Sequence, residues 1–119
     1  MNISGYADRY GPWGIRRELI RQAVHDAKPD VLALQAVQLD PALEQSRDQA
    51  SQMARIMPQF SSIVFQASAS HPDGKVDGLA VLSRFEILES DFLKFTTIPG
   101  LEDQSQRTIL HTRLATPEG

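Results

Sequence analysis

The stretch Pro29-Asp30-Val31-Leu32-Ala33-Leu34-Gln35-Ala36 decides the fold of this chain. Pro29 keeps the residue before it out of helical geometry, and the four apolar residues that follow Asp30 are typical of a strand covered on both faces. The run then ends in a polar side chain, Gln35, and a methyl group, Ala36. Because open α/β proteins bind ligands at the carboxyl ends of central strands, we expect a site at this point.

An amphipathic helix precedes the strand. Glycines and Pro12 make residues 2–14 a loop, and the helix is expected to begin near Ile15 and to end before Pro29. Apolar residues recur every four positions and predict the buried face. They are Ile15, Leu19, Ala23 and Ala27, with Ile20 and Val24 beside them. A helix followed by a buried strand indicates an α/β protein.

The rest of the chain contains one further helix and then mostly strands. Asp40 and Pro41 predict a helix start, and an apolar stripe continues from there to Met57. A short strand is expected at 63–65, and the sequence Pro72-Asp73-Gly74 predicts a turn after it. Three more strands are expected at 78–83, 87–95 and 108–115.

Length and composition favour a single domain over residues 1–119, because 119 residues of which 41% are hydrophobic are enough to form one compact core. The 15 acidic and 12 basic residues give a net charge of -3, which does not support nucleic-acid binding through bulk electrostatics. The chain has no cysteine, so disulfides, thiolate metal sites and cysteine nucleophiles are excluded. The sequence contains no signal peptide or membrane span, and cytoplasmic localisation is the default expectation.

Both ends of the sequence are abrupt. Asn2 and Ile3 look like the end of a strand whose body is missing, and residues 115–119 form a turn that would lead into another strand. We therefore expect the chain to be an interval of a longer domain.

Four features, taken in order, resemble the endonuclease/exonuclease/phosphatase family. They are Asn2, the strand at 29–35, the run Gly78-Leu79-Ala80-Val81-Leu82-Ser83-Arg84, and Arg107 ahead of the last strand. The resemblance covers almost the whole chain but only the amino-terminal half of the family's domain. It implies half of a four-layer α/β sandwich, with a mixed, mostly antiparallel sheet and helices on one face. The alternative is an unrelated doubly wound α/β domain, which has helices on both faces.

The resemblance implies phosphoester hydrolysis with a divalent cation, usually Mg²⁺. In the family a Gln-Glu pair closes the strand and its glutamate holds the metal, whereas here Gln35 is followed by Ala36, which has no oxygen ligand. Asn2 matches the family's active-site asparagine, and Arg107 lies where an arginine often approaches the substrate phosphate. For Gln35 two roles stay open. Its side chain hydrogen-bonds to the phosphate or to a metal-bound water, or it only forms hydrogen bonds with the backbone of a loop.

Other polar residues are given structural roles. Asp77 is interpreted as a turn residue, because it precedes a strand and is therefore expected at the opposite end from the site. Arg84 is expected to hydrogen-bond to neighbouring loops. The family's Asp-x-Asn and Ser-Asp-His segments belong to its later half, and His25, His71 and His111 do not match that histidine.

Two functions remain open after this comparison. The first is the amino-terminal part of an Mg²⁺-dependent phosphoesterase, inactive as given because position 36 is alanine and the carboxy-terminal catalytic half is absent. The second is a non-catalytic half-domain that associates with itself or a partner through its exposed sheet. The substrate of the first is not specified, and DNA, RNA, phosphoinositides and phospholipid headgroups all fit it.

Overall fold

The structure is a computed structural model, and it describes residues 1–7, 11–44, 47–94 and 108–115. Within these ranges the chain forms two helices and five strands. In chain order they are α1 (Trp13–Ala27), β1 (Val31–Leu39), α2 (Gln49–Ile56), β2 (Ser62–Ser70), β3 (Val76–Ser83), β4 (Glu86–Lys94) and β5 (Thr108–Ala115). None of the helices in these ranges is long and apolar enough to cross a membrane.

The strands form two antiparallel sheets. The larger sheet has the order β1-β3-β2, and β4 pairs with β5 in the smaller one. Asn2 adds a parallel bridge to Gln35 on the free edge of β1, which makes the larger arrangement mixed. The predicted α/β class with mostly antiparallel pairing is confirmed.

Both helices pack into one core against one face of the three-stranded sheet. Leu34 and Leu82, on paired strands of this face, are 1% and 0% exposed, and Met53 from α2 is 0% exposed. One cluster joins residues of α1, α2 and the sheet: Ile3, Trp13, Val24, Leu32, Leu34, Val37, Ala50, Met53, Met57, Phe60, Ala80 and Leu82. This single helical layer is the arrangement that the family resemblance implies, and it disagrees with a doubly wound sheet.

Strand β1 differs from its prediction in length and in burial. It continues past Ala36 to Leu39, and its residues alternate between exposed and buried positions. Val31 is 38% exposed while Leu32 is 8% exposed, so the expectation that both faces are covered is wrong. The reason is that the described helices cover only one face of this antiparallel sheet.

Helix α1 is rotated relative to the face that its apolar spacing predicts. Ile15 and Leu19 are 61% and 58% exposed, whereas the buried positions are Trp13, Arg16 and Val24. The helix begins at Trp13, directly after Pro12. The prediction holds for Val24, which is buried, and for Ile20, which packs against the core. It is wrong for Ile15 and Leu19, because the polar Arg16 faces the protein interior, where residues 3–7 supply acceptors for it.

Helix α2 begins later than the sequence predicts. Its cap is Asp48, whose carboxylate accepts hydrogen bonds from Ser51 N at 2.9 Å and Ser51 Oγ at 2.7 Å. Asp40 instead forms a turn, in which its Oδ1 accepts from Ala42 N at 3.0 Å. Both aspartates satisfy the capping pattern locally, and only Asp48 is followed by residues that pack on the sheet.

The turn at 72–74 lies between β2 and β3, as predicted. Gly74 has a φ of +88°, a conformation that glycine adopts without strain, and its N donates to the carbonyl of His71 at 3.0 Å. Both strands of this hairpin are longer than expected, because the pairing extends to Ser70 and Val76.

Candidate functional site

The amino-terminal segment, residues 1–7, lies along the free edge of β1 and brings Asn2 next to Gln35 and Ala36. Gln35 N donates to Met1 O at 2.7 Å, and Ile3 N donates to Gln35 O at 3.0 Å. Gly5 N then donates to Ala36 O at 2.8 Å. The structure therefore brings together Asn2, Gln35 and Ala36, which the sequence analysis assigned to one site.

A β-bulge interrupts β1 at the same point. The pairing with β3 shifts between Leu34 and Val37, so that Gln35 and Ala36 together oppose a single residue. Ala36 has a φ of +54°, in the left-handed region that costs an alanine roughly 1–2 kcal/mol. The bulge directs the carbonyl of Ala36 to the amino-terminal segment, and this local strain is of the kind found at functional sites.

The oxygen and the nitrogen of the Asn2 side-chain amide differ in their partners among the described residues. Asn2 Oδ1 accepts from Ser4 N at 2.8 Å and from Ser4 Oγ at 3.4 Å. Within the described part of the chain, no residue accepts from the Asn2 amide nitrogen, and the residue is exposed. An amide nitrogen is a donor only, so Asn2 offers hydrogen-bond donors at the end of this segment.

Arg16 holds the amino-terminal segment from the helical side. Its guanidinium donates to Ile3 O at 2.6 Å, Gly5 O at 2.9 Å and Ala7 O at 3.0 Å, and its Nε donates to Gly11 O at 2.8 Å. The residue is 8% exposed, and among the described residues all its hydrogen-bond acceptors are backbone carbonyls. This buried cation therefore fixes the backbone of the segment without a carboxylate partner in the described ranges.

Two glutamines of α2 complete the hold on the segment. Gln49 is 0% exposed; its Nε2 donates to Gly5 O at 2.8 Å, and its Oε1 accepts from the backbone N of Gln38 at 3.0 Å. Gln52 donates to Tyr6 Oη at 2.6 Å and accepts from Trp13 Nε1 at 2.7 Å. Burial raises the pKa of the Tyr6 hydroxyl, which stays protonated at neutral pH.

Sequence reasoning missed both glutamines of α2 as parts of this site. Gln49 and Gln52 are three residues apart and therefore share one helical face, the same face on which the apolar residues Ala50 and Met53 are buried. Polar side chains on the buried face of a helix are the signal that would have found them.

Comparison with known proteins agrees with this geometry. The model of the endonuclease/exonuclease/phosphatase family matches residues 1–116. The chain belongs to the endonuclease/exonuclease/phosphatase family. The fold is similar to the crystal structure of an endonuclease/exonuclease/phosphatase from Beutenbergia cavernae DSM 12333, with a TM-score of 0.61 and 18% identity. The match covers 99% of this chain and 38% of that chain, and a comparison with curated proteins found no match.

The residues that this family member presents at the end of β1 do not fit a magnesium site. Ala36 has no oxygen in its side chain, and the side-chain oxygen of Asn2 is occupied by Ser4. No cluster of three or more histidine, aspartate, glutamate or cysteine residues occurs within the ranges that the structure describes. Mg²⁺ requires several oxygen ligands in octahedral order, which this set does not supply.

Asp77 lies at the same end of the sheet as the site, so the expectation that it lies at the opposite end is wrong. The start of β3 pairs with the end of β1, and Asp77 is opposite Gln38. Asp77 Oδ1 accepts from Gln38 Nε2 at 2.9 Å, and its Oδ2 is 2.7 Å from His71 Nε2. The antiparallel pairing is the reason, because it places the start of one strand beside the end of its neighbour.

The remaining predicted residues lie elsewhere. Arg84 is at the other end of β1, where it donates to the carboxylate of Asp30 at 2.8 Å and its backbone N donates to Asp30 O at 3.0 Å. It therefore has the structural role that the sequence predicts. Arg107 and the side chain of His111 lie outside the described residues.

Proposed function

We propose that this chain is the amino-terminal part of a divalent-metal-dependent phosphoesterase, and that the segment carrying Asn2 binds the phosphate group of the ester. The observation that carries the proposal is the parallel bridge between Asn2 and Gln35, which puts an exposed amide donor beside the bulge at Ala36. Membership of the family supports phosphate esters as the substrate class.

The described side chains at this site favour binding of a phosphate ester over its hydrolysis, because they are hydrogen-bond donors and include no carboxylate that would hold a metal. In this proposal the Asn2 amide nitrogen donates to a non-bridging phosphate oxygen. Gln35, which pairs with Asn2 in the parallel bridge and is also exposed, supplies a second side-chain amide. The charge of Arg16 lies beneath this segment and is unneutralised by any described carboxylate, so it favours an anion nearby.

Hydrolysis in this proposal requires a carboxylate at position 36 and residues beyond this chain. In a complete domain, a carboxylate at position 36 would help to hold Mg²⁺, and the ion would supply Lewis-acid chemistry at the phosphoryl group. Alanine at position 36 removes the charged ligand that the family places there. We therefore propose that the chain alone binds phosphate esters without hydrolysing them, and that it binds Mg²⁺ weakly.

The test combines binding and turnover on the purified chain. Inorganic phosphate is expected to shift the NMR signals of the Asn2 side-chain amide, while bis(p-nitrophenyl) phosphate with Mg²⁺ is expected to yield no p-nitrophenol. Ala36→Glu should increase the affinity for Mg²⁺ measured by calorimetry. Ala33→Glu, which adds the same charge at an exposed position of the same strand, should not.

Turnover by the unmodified chain would contradict the proposal that it is inactive. An Asn2 side chain that does not respond to phosphate would contradict the proposed binding role. Equal Mg²⁺ affinity in Ala36→Glu and Ala33→Glu would show that position 36 is not a metal position.

Exposed apolar residues on both sheets favour a second candidate function, association with another copy of the chain. Some of them lie on the face of the larger sheet opposite the helices. Val31 is 38% exposed and Ala33 is also exposed on this face of β1. On β4, Leu88 and Phe92 are 47% and 46% exposed. Apolar groups of this kind favour association. Sedimentation should detect a dimer whose dissociation constant rises in Val31→Lys, and a monomer at high concentration would contradict this function.

A further inference from the structure

We propose that Asp77 and Gln38 are positioning residues for Asn2, acting through the backbone of the amino-terminal segment. The inference rests on the proposed function, because it concerns how the phosphate-binding end is held in place. It assigns a role to a carboxylate that sequence reasoning treated as part of a turn.

The Gln38 side chain connects Asp77 to the segment with a defined orientation. Its Oε1 accepts from Tyr6 N at 2.9 Å, and its Nε2 donates to Asp77 Oδ1 at 2.9 Å. A backbone N–H only donates and an ionised carboxylate only accepts, so the opposite orientation of the amide would lose both hydrogen bonds. Asp77 thereby keeps the Gln38 oxygen turned to the segment.

Gly5 makes the close approach of Gln38 possible. A Cβ built on Gly5 would lie 2.7 Å from Gln38 Oε1, and the φ of Gly5 is +54°. A side chain at position 5 would therefore collide with the amide that Asp77 orients. The residues that Gln38 contacts follow directly after the Asn2–Ser4 turn, so the position of Tyr6 N limits where Asn2 lies.

His71 holds the second oxygen of the Asp77 carboxylate. Its Nε2 is 2.7 Å from Asp77 Oδ2, and it donates that hydrogen bond because the ionised carboxylate has no proton to donate. The His71 and Asp77 side chains are 45% and 41% exposed. Loss of the carboxylate therefore buries no unpaired charge, and its effect is expected to concentrate on Gln38 and the segment.

The experiment is amide hydrogen exchange and phosphate titration by NMR on Asp77→Ala. We expect exchange at Tyr6 N to accelerate by about tenfold, as expected for the loss of one hydrogen bond to a charged group. Phosphate affinity, read at the Asn2 side chain, is expected to fall several-fold. Gln38→Leu should accelerate exchange at Tyr6 N to a similar extent. Asp77→Asn should keep the exchange rate close to that of the unmodified chain, because its carboxamide oxygen accepts from Gln38.

Asp73→Ala is the matched control. Asp73 lies in the same hairpin, where its carboxylate accepts from Lys75 N at 3.1 Å, whereas the carboxylate that accepts from Gln38 is that of Asp77. Unchanged exchange at Tyr6 in Asp77→Ala, or equal acceleration in Asp73→Ala, would contradict the positioning role. Absence of a phosphate response in the unmodified chain would instead contradict the proposed function, and the exchange result would still decide the positioning role.

Discussion

The two ends of β1 are held in different ways. At its amino end, Asp30 and Arg84 form an ion pair whose side chains are each 56% exposed. At its carboxyl end, a bulge with Ala36 at positive φ lies beside the amino-terminal segment, and buried polar side chains of α1 and α2 hold that segment. The carboxyl end brings backbone strain and buried polar side chains together on one segment.

This difference indicates that the carboxyl end of β1 is the more rigidly positioned of the two ends. An exposed ion pair is screened by water and contributes little to stability. Buried hydrogen bonds from Arg16 and Gln49 cannot be replaced by water without rearrangement, so they restrict the segment to one position. The polar groups at the carboxyl end are therefore expected to control both stability and ligand binding.

The largest expected effect is that of Arg16→Met, which keeps an unbranched apolar stem and removes the guanidinium. Four backbone carbonyls lose a hydrogen bond from the guanidinium, and Gly5 O keeps the one from Gln49, so we expect the free energy of unfolding to fall by ~3–5 kcal/mol. Chemical denaturation measures this change. Arg17→Met is the control, because the polar contacts of Arg17 with described residues are a 3.2 Å hydrogen bond to Gln52 and a 3.6 Å ion pair with Glu44. Equal losses in both variants would contradict the special role of Arg16.

A smaller effect of opposite sign is expected at the bulge. Ala36→Gly should raise the free energy of unfolding by ~0.5–1 kcal/mol, because glycine adopts the φ of +54° without strain. Ala33→Gly, in the regular part of the same strand, should lower it by ~0.5–1 kcal/mol. Thermal unfolding of the two variants provides the comparison. Destabilisation in both would show that the backbone at position 36 is not strained.

The smallest effect is expected at the amino end of β1. Arg84→Gln should lower the free energy of unfolding by less than ~1 kcal/mol, because both partners of the ion pair are more than half exposed. The difference between this variant and the unmodified chain should shrink in 1 M salt, where the screening length is about 3 Å. A loss as large as that of Arg16→Met would remove the contrast between the two ends.

Several elements follow from local pattern and match the structure. Pro29 and the apolar run after it predict β1, and Pro72-Asp73-Gly74 predicts the turn before β3. The run from Gly78 to Ser83 forms most of β3. The resemblance to the family also places Asn2 near Gln35, and the structure brings them together.

The errors occur where a residue's neighbours come from distant parts of the chain. The spacing of Ile15 and Leu19 predicts a buried face, but Arg16 is buried instead because the segment at 3–7 supplies its acceptors. The sequence shows that Asp77 lies near the start of β3. It does not show that β3 runs antiparallel to β1, which is what places Asp77 beside the end of β1.

Three properties can be read from the amino-acid sequence alone, namely the α/β class, the order of the strands along the chain and the absence of a carboxylate at position 36. These properties depend on local backbone preferences and on residue identity, which neighbours along the chain are sufficient to set. Long-range contacts are needed to bring together Arg16, Gln49, Gln38 and Asp77 at the segment that carries Asn2. Their hydrogen bonds join residues up to 44 positions apart, and strand pairing and helix rotation create those contacts.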